Sequence, residues 1–90
     1  MKKVILFAST HCGDCPPVKE ALNNAGIKYA LQDITSGMMP LKRFLKYRDS
    51  RPEFESIREK GNVGIPCLVV EDEGEVNIYF ELPENLDFLR

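Results

Sequence analysis

The stretch VILFASTHCGDCPP, residues 4–17, decides the fold because it places two cysteines between an apolar run and the start of a helix. Residues 2–8 are rich in β-forming side chains, which predicts a central strand covered on both faces. Pro16 and Pro17 fit a helix only in its first turn, where the amide they lack would have no intrahelical partner. We therefore predict that a helix begins at Cys15 or just after it.

The next segments continue this strand-helix order. The predicted helix carries apolar residues at i, i+3, i+4 and i+7, and a glycine stands where it should end: Val18, Ala21, Leu22, Ala25 and Gly26. Alternating polarity over residues 27–32 predicts a second strand. With the first strand and helix, it makes a β-α-β unit, which is parallel and right-handed by the usual rule.

The second half of the chain predicts two helices, a hairpin and a last helix. A helical stripe runs over residues 38–48, and residues 50–53 have the pattern of a capping box that begins another helix, which ends at Gly61. Two strands joined by the turn Asp72-Glu73-Gly74 follow, over residues 67–71 and 75–80, and we expect a short helix over residues 83–89.

The composition is that of an ordinary soluble globular protein. Hydrophobic residues make up 43% of the chain and charged residues 29%, and no apolar segment is long enough to cross a bilayer. A chain of 90 residues can build only one core, so we expect a single domain over residues 1–90 that is not bound to a membrane.

Cysteine usage indicates a reducing compartment. The apolar stretch near the N-terminus is too short for a secretory signal, so we expect a cytoplasmic protein. There a cysteine pair is more often catalytic or metal-binding than a structural disulfide, and an odd count of three cysteines also disfavours a disulfide scaffold.

The charges are unevenly distributed along the chain. Residues 41–60 hold seven basic and four acidic side chains, whereas residues 71–90 hold one basic and seven acidic ones. The basic segment is interleaved with acids, which is typical of a solvated helix face. We therefore predict no nucleic-acid partner.

Three interpretations of the cysteine pair remain open from the residues alone. In a redox pair, Cys12 would be the nucleophile, since backbone amides and the dipole at a helix N-terminus stabilise a thiolate. Cys15 would then resolve the mixed disulfide. In a zinc site the ligands would be His11, Cys12, Cys15 and Cys67. The third interpretation is two ordinary buried thiols.

The neighbours of the pair have expected roles in the redox interpretation. Gly13 lets the loop approach a substrate backbone closely, whereas the charge of Asp14 opposes a nearby thiolate. His11 is either a donor to the thiolate of Cys12 or a partly exposed loop histidine.

These features resemble the glutaredoxins, within the thioredoxin fold. The resemblance rests on the strand that leads into Cys-x-x-Cys, on IKYALQDI at residues 27–34 and on VGIPCLVV at residues 63–70. It implies an α/β fold with a four-stranded mixed sheet in the order 2-1-3-4, flanked by helices. It also implies that Pro66 is a cis-proline facing the redox pair.

The same loop would bind substrate. By the resemblance, Ile65 offers its backbone to the peptide-like part of a substrate, and Gly64 leads into that loop. Cys67 follows Pro66 directly, so it is either a third thiol within reach of Cys12 or a small apolar residue at the start of a buried strand.

Several residues depart from the family pattern. Glutaredoxins commonly have Pro-Tyr between the cysteines, and many have a lysine where Ser9 stands, which binds a glutathione carboxylate. The usual Gly-Gly-acidic sequence after the fourth strand is replaced by residues 81–85, ELPEN. Basic residues between 42 and 51 are candidates to replace these contacts. The electron donor is accordingly glutathione or a donor of the thioredoxin-reductase type.

We thus predict a monomeric thiol-disulfide oxidoreductase that acts on protein disulfides or glutathione mixed disulfides. It needs no cofactor or metal; glutathione is a candidate co-substrate. Two rival functions remain. The chain is alternatively an iron-sulfur carrier, whose cluster is held between two subunits by Cys12 and glutathione, an interpretation that Gly13 permits. It is otherwise an interaction module whose thiols do not turn over.

Overall fold

The computed structural model describes residues 2–89. The strands are β1 (Lys3–Ala8), β2 (Ala30–Asp33), β3 (Cys67–Asp72) and β4 (Glu75–Tyr79). The α-helices are α1 (Cys15–Asn24), α2 (Met38–Ser50) and α3 (Glu55–Glu59). Two 3₁₀ turns, Pro52–Phe54 and Asp87–Leu89, complete the described elements. None of the helices within these residues is long and apolar enough to span a membrane.

The four strands form one mixed sheet in the order β2-β1-β3-β4. Strand β1 pairs parallel with β2 and antiparallel with β3, which pairs antiparallel with β4. This confirms the predicted thioredoxin-like sheet and its strand order. Because β1 lies in the interior of the sheet, five of its six residues are buried, as the continuous apolar run predicts.

Side chains of β1 and β3 alternate between two hydrophobic clusters, one on each face of the sheet. The first cluster packs under α1 and contains Val4, Leu6, Ala8, Cys15, Leu22, Ile27, Leu68, Val70 and Leu89. The second packs under α2 and contains Ile5, Phe7, Ile34, Phe44, Phe54, Cys67 and Val69. Neighbouring residues of one strand therefore belong to different faces of the sheet.

Helix α1 begins and ends at the predicted residues. It starts at Cys15 with prolines in its first turn, and Gly26 follows it with a φ of +70°. The Gly26 amide donates to the Asn23 carbonyl over 3.1 Å, and the Ile27 amide donates to the Leu22 carbonyl over 3.0 Å. This is a Schellman motif, in which glycine supplies the left-handed residue.

The predicted capping box at residues 50–53 is wrong. Ser50 is the last residue of α2, and its hydroxyl donates to the Lys46 carbonyl instead of capping the next helix. Arg51 precedes the 3₁₀ turn, and no side chain caps that turn. The guanidinium of Arg58 donates to the carbonyl of Arg51 over 3.1 Å and to the carbonyl of Arg48, so a side chain from α3 satisfies the end of α2.

Two further elements differ from the sequence predictions. The second strand is shorter than predicted, and its Leu31 is 45% exposed because β2 lies at the sheet edge. The expected helix over residues 83–89 is only the turn Asp87–Leu89. The Asn85 carboxamide accepts from the Asp87 amide over 2.9 Å, an Asx turn that competes with a helix.

Candidate redox site

The cysteine pair lies in the loop that joins β1 to α1. The Cys12 amide donates to the Ser9 carbonyl over 3.1 Å, and the Cys15 amide donates to the Cys12 carbonyl over 3.5 Å. Cys15 is the first residue of α1, so both cysteines stand at the N-terminal end of this helix. The backbone itself therefore fixes how the two thiols are spaced.

The two thiols have very different exposure. Cys12 is partly exposed, whereas Cys15 is fully buried in the cluster under α1. Burial and, to a smaller extent, a hydrogen bond to the Cys12 side chain raise the pKa of the Cys15 thiol to about 11. The Ser9 backbone and the charge of Lys19 oppose this rise. Cys15 is consequently a neutral thiol at pH 7, in contact with an accessible partner.

A network of hydroxyl groups holds the start of this loop. The His11 amide donates to Ser9 Oγ over 3.0 Å, and Ser9 Oγ lies 2.9 Å from Thr35 Oγ1. Thr35 Oγ1 donates its hydroxyl proton to Asp33 Oδ1 over 2.6 Å. Because a hydroxyl has only one proton to donate, the Ser9 hydroxyl must be the donor in its bond with Thr35 Oγ1. The segment after β2 thus anchors the cysteine loop.

The carboxylate of Asp33 is the final acceptor of this network. Hydrogen bonds from the Thr35 side chain and then the Thr35 amide hold the pKa of Asp33 below its usual value. Sequence reasoning missed these residues. The pattern Asp-x-Thr after a strand is the signal that indicates such a turn, but it does not reveal the link to Ser9.

The predicted proline loop enters β3 beside the cysteines. The peptide bond between Ile65 and Pro66 is cis, as the resemblance implied. Ile65 and Pro66 line the same groove as Asp14 and Val18, so the loop lies beside the start of α1.

Gly64 is needed for steric reasons. Its φ is +100°, and a Cβ atom there would lie 3.1 Å from Phe54 Cε1 and 3.3 Å from Ile57 Cγ2. Both the backbone angle and the adjacent aromatic ring therefore favour glycine at this position.

Arg48 holds the same loop from α2. Its Nε donates to the Val63 carbonyl over 2.9 Å, and its Nη2 donates to the Asn62 carbonyl over 2.7 Å. A planar guanidinium can bind two successive carbonyls in this way, which a lysine cannot do. The basic segment, predicted to be only a solvated face, thus contributes to loop geometry.

A groove of about 740 Å³ begins at the cysteine motif and follows the proline loop. Its walls come from the start of α1, from α3, from the loop before β3 and from the segment after β4: Asp14, Val18, Ile57, Asn62, Val63, Gly64, Ile65, Pro66, Phe80, Glu81 and Leu82. Asp14, Gly64, Ile65 and Pro66 thus line a common groove. The basic residues between 42 and 51 are not among its lining residues.

Cys67 lies on the opposite face of the sheet from the pair. Its side chain is fully buried in the cluster under α2, whereas Cys15 belongs to the cluster under α1. Burial raises the pKa of the Cys67 thiol to about 12, with a smaller effect from the charge of Glu53. Of the two interpretations, the small apolar residue at the start of a strand fits this packing.

The remaining neighbours of the pair are exposed. His11 and Gly13 lie at the surface, and nothing within 4 Å would obstruct a Cβ atom at Gly13. The loop therefore does not require glycine at position 13 for packing. Asp14 holds the N-cap position of α1 without a side-chain capping bond.

The proposed zinc ligands are not brought together. Within residues 2–89, no three His, Cys, Asp or Glu side chains form a group that could hold a metal ion. A cluster shared between two subunits is a different case, and Cys12 is the thiol with surface available to ligate it.

Comparison with known proteins agrees with this architecture. The glutaredoxin family model matches residues 4–75, most of the chain. The chain is also 36% identical over 70 residues to an uncharacterized protein of Haemophilus influenzae, a match that covers 78% of this chain and 81% of that protein. No solved structure matches significantly. From the family match, together with the strand order and the cis-proline beside the Cys-x-x-Cys helix, we conclude that the chain belongs to the glutaredoxin family.

Proposed function

We propose that this protein is a thiol-disulfide oxidoreductase in which Cys12 is the nucleophile and Cys15 the resolving thiol. The observation that carries the proposal is the contrast between a partly exposed Cys12 and a fully buried, protonated Cys15 in hydrogen-bond contact with it. A substrate disulfide can reach the first sulfur only, and the second is placed to act after it.

The first step forms a mixed disulfide. The Cys12 thiolate attacks one sulfur of the substrate disulfide, the substrate sulfur-sulfur bond breaks, and the second substrate sulfur leaves as a thiolate. The position of Cys12 at the N-terminal end of α1 supports this role, since the helix dipole there favours negative charge on sulfur. The departing thiolate takes a proton from solvent.

The second step releases the reduced substrate. Cys15 loses its proton and its thiolate attacks Cys12, which forms the Cys12–Cys15 disulfide and expels the remaining substrate thiol. Two electrons have then passed from the cysteine pair to the substrate. Burial raises the pKa of the Cys15 thiol, so a higher pH favours its deprotonation and with it the second step.

An external thiol must reduce the Cys12–Cys15 disulfide before the next cycle. Membership of the family supports glutathione as a redox partner. Among residues 2–89, no lysine or arginine lines the groove, and such residues are the usual means of binding glutathione carboxylates. A dithiol donor of the thioredoxin-reductase type is therefore an equal candidate.

Two coupled assays test this proposal with cysteine variants. The wild type is assayed with a glutathione-coupled mixed disulfide and with insulin coupled to thioredoxin reductase. Cys12→Ser should abolish turnover in both assays, and Cys15→Ser should abolish insulin reduction, which needs two thiols. Cys67→Ala is the matched control and should retain activity, since that thiol lies on the other face of the sheet. A wild type inactive in both assays would refute the proposal.

A further inference from the structure

The groove beside the cysteine pair is lined by two acidic side chains. Asp14 lines it next to the pair, and Glu81 lines it from the segment that follows β4. No lysine, arginine or histidine is among its lining residues within the part of the chain that the structure describes. The charged side chains that line the groove itself are therefore the two carboxylates; the guanidinium of Arg48 is not part of the lining and is bound to the carbonyls of Asn62 and Val63.

These two carboxylates are not neutralised by the protein. The Asp14 side chain makes no capping bond to α1, although it occupies the N-cap position. Across residues 2–89 the ion pairs join Arg48 to Asp49 and Arg51 to Glu53, so neither includes a groove carboxylate. Asp14 and Glu81 thus remain available to a charged ligand.

The groove lining also includes apolar side chains. Val63 is 52% exposed, and Ile65, Phe80 and Leu82 provide further apolar surface. The volume of about 740 Å³ is within the range of ligand sites and is sufficient for a short peptide segment. A groove lined by both apolar side chains and two carboxylates complements a peptide that has an aliphatic stem and a cationic tip, as lysine and arginine do.

We propose that the groove selects disulfide substrates in which a lysine or arginine flanks the reactive cysteine, and that it disfavours anionic thiol compounds such as glutathione. The inference rests on the proposed function and specifies its substrate class. Glutathione has two carboxylates and one ammonium group, so its net charge is repelled by Asp14 and Glu81. A basic peptide gains attraction from the same groups.

The test uses single-turnover kinetics with the reduced wild-type protein in excess. The substrates are symmetric disulfides of three short peptides that differ in one residue beside cysteine: lysine, glutamine or glutamate. Electrons come from the Cys12–Cys15 dithiol, so no further reductant is added to these reactions. In separate reactions without the protein, the rate with dithiothreitol measures the intrinsic reactivity of each peptide disulfide. The glutamine peptide is the neutral reference for every variant.

Two double variants isolate the groove carboxylates. D14N/E81Q removes both of them, and E73Q/E75Q removes two carboxylates at the hairpin, which is distant from the cysteine loop and not part of the groove. Both variants change the net charge by the same amount. A general charge effect would therefore appear in both, and a groove effect in the first alone.

We expect the wild type and E73Q/E75Q to reduce the lysine peptide about tenfold faster than the glutamate peptide after calibration. In D14N/E81Q this ratio should fall to about one, with the rate for the glutamine peptide as the reference.

Equal rates for all three peptides in the wild type would overturn the substrate inference and leave the proposed function intact. A lysine-to-glutamate rate ratio that stays near ten in D14N/E81Q would also overturn the substrate inference and leave the proposed function intact. If the wild type reduces none of the peptides, both the inference and the proposed function fail.

Discussion

Replacing Gly64 with alanine should destabilise this protein more than a typical glycine substitution. Gly64 combines a φ of +100° with close contacts, since an added Cβ would lie 3.1 Å from Phe54 Cε1. Phe54 cannot move aside easily, because it is fully buried and its ring packs edge-on against Phe44 and Phe80 at centroid distances of 5.8 and 4.9 Å. Both effects act in the loop that precedes the cis-proline.

The expected loss combines two contributions to the free energy of unfolding. Placing a residue with a Cβ in the left-handed region costs about 1–2 kcal/mol. Forcing one additional carbon against a packed ring costs about 1–3 kcal/mol. Gly64→Ala should therefore lower the free energy of unfolding by about 2–5 kcal/mol.

Two other glycines separate these contributions. Gly26 has a φ of +70° with no atom within 4 Å of an added Cβ, so Gly26→Ala should lose only about 1–2 kcal/mol. Gly13 has neither a left-handed φ nor a close neighbour, so Gly13→Ala should change stability by less than about 0.5 kcal/mol. Urea denaturation followed by circular dichroism measures all three. If Gly64→Ala is no less stable than Gly26→Ala, the steric argument is refuted.

Three further predictions concern hydrogen bonds and ionisation. Arg48→Lys removes the forked donor to the Asn62 and Val63 carbonyls and should lower the free energy of unfolding by about 1–2 kcal/mol in urea. Burial raises the pKa of Cys15 from 9.0 to about 11, so its contribution to stability is complete below pH 9 and is lost as the pH rises to 11. Between pH 9 and pH 11 the free energy of unfolding should therefore fall in both proteins, and the fall should be smaller in Cys15→Ala than in the wild type by up to about 3 kcal/mol. Hydrogen bonds lower the pKa of Asp33, so its contribution is present above about pH 4 and lost as the pH falls through the folded-state pKa; Asp33→Asn should flatten acid unfolding.

Each of these three predictions has a clear contrary result. Equal stability of Arg48→Lys and the wild type would mean that the loop carbonyls are satisfied by solvent. Parallel alkaline unfolding curves for Cys15→Ala and the wild type would contradict a raised thiol pKa. An unchanged acid transition in Asp33→Asn would contradict a carboxylate held ionised by Thr35.

The parts of the fold predicted from sequence are those with local causes. The prolines after Cys15 can occupy only a first helical turn, and Gly26 supplies the left-handed residue that ends α1. The hairpin follows from Glu73 and Gly74, whose φ values of 51° and 86° suit a two-residue turn. Each of these signals lies within a few residues of the feature that it specifies.

The failures occur where contacts distant in sequence determine the local structure. Ser50 has the residue type of a helix cap, yet α2 continues through it because Arg58 from α3 satisfies the carbonyls at the end of α2. Likewise, the expected C-terminal helix competes with the turn at Asn85. Periodicity and propensity contain no information on such partners.

The sequence predicted that the proline loop lies near the cysteine pair, but it predicted only part of the surrounding geometry. The sequence placed the cysteines and Pro66 near one another through the family resemblance, and the structure places the proline loop beside the pair. Sequence reasoning could not assign Cys67 to either face of the sheet, because that depends on its register opposite Phe7. The anchoring of Ser9 by Thr35 spans 26 residues and left no local pattern.

Mapping the mixed disulfide in Cys15→Ser tests the central claim most directly. This variant is mixed with a peptide disulfide, and the trapped adduct is located by mass spectrometry after digestion under non-reducing acidic conditions. The partly exposed Cys12 should carry the peptide in stoichiometric yield, while the buried Cys67 stays unmodified. An adduct on Cys67, or no adduct with a peptide that the wild type reduces, would contradict the assignment of Cys12 as nucleophile.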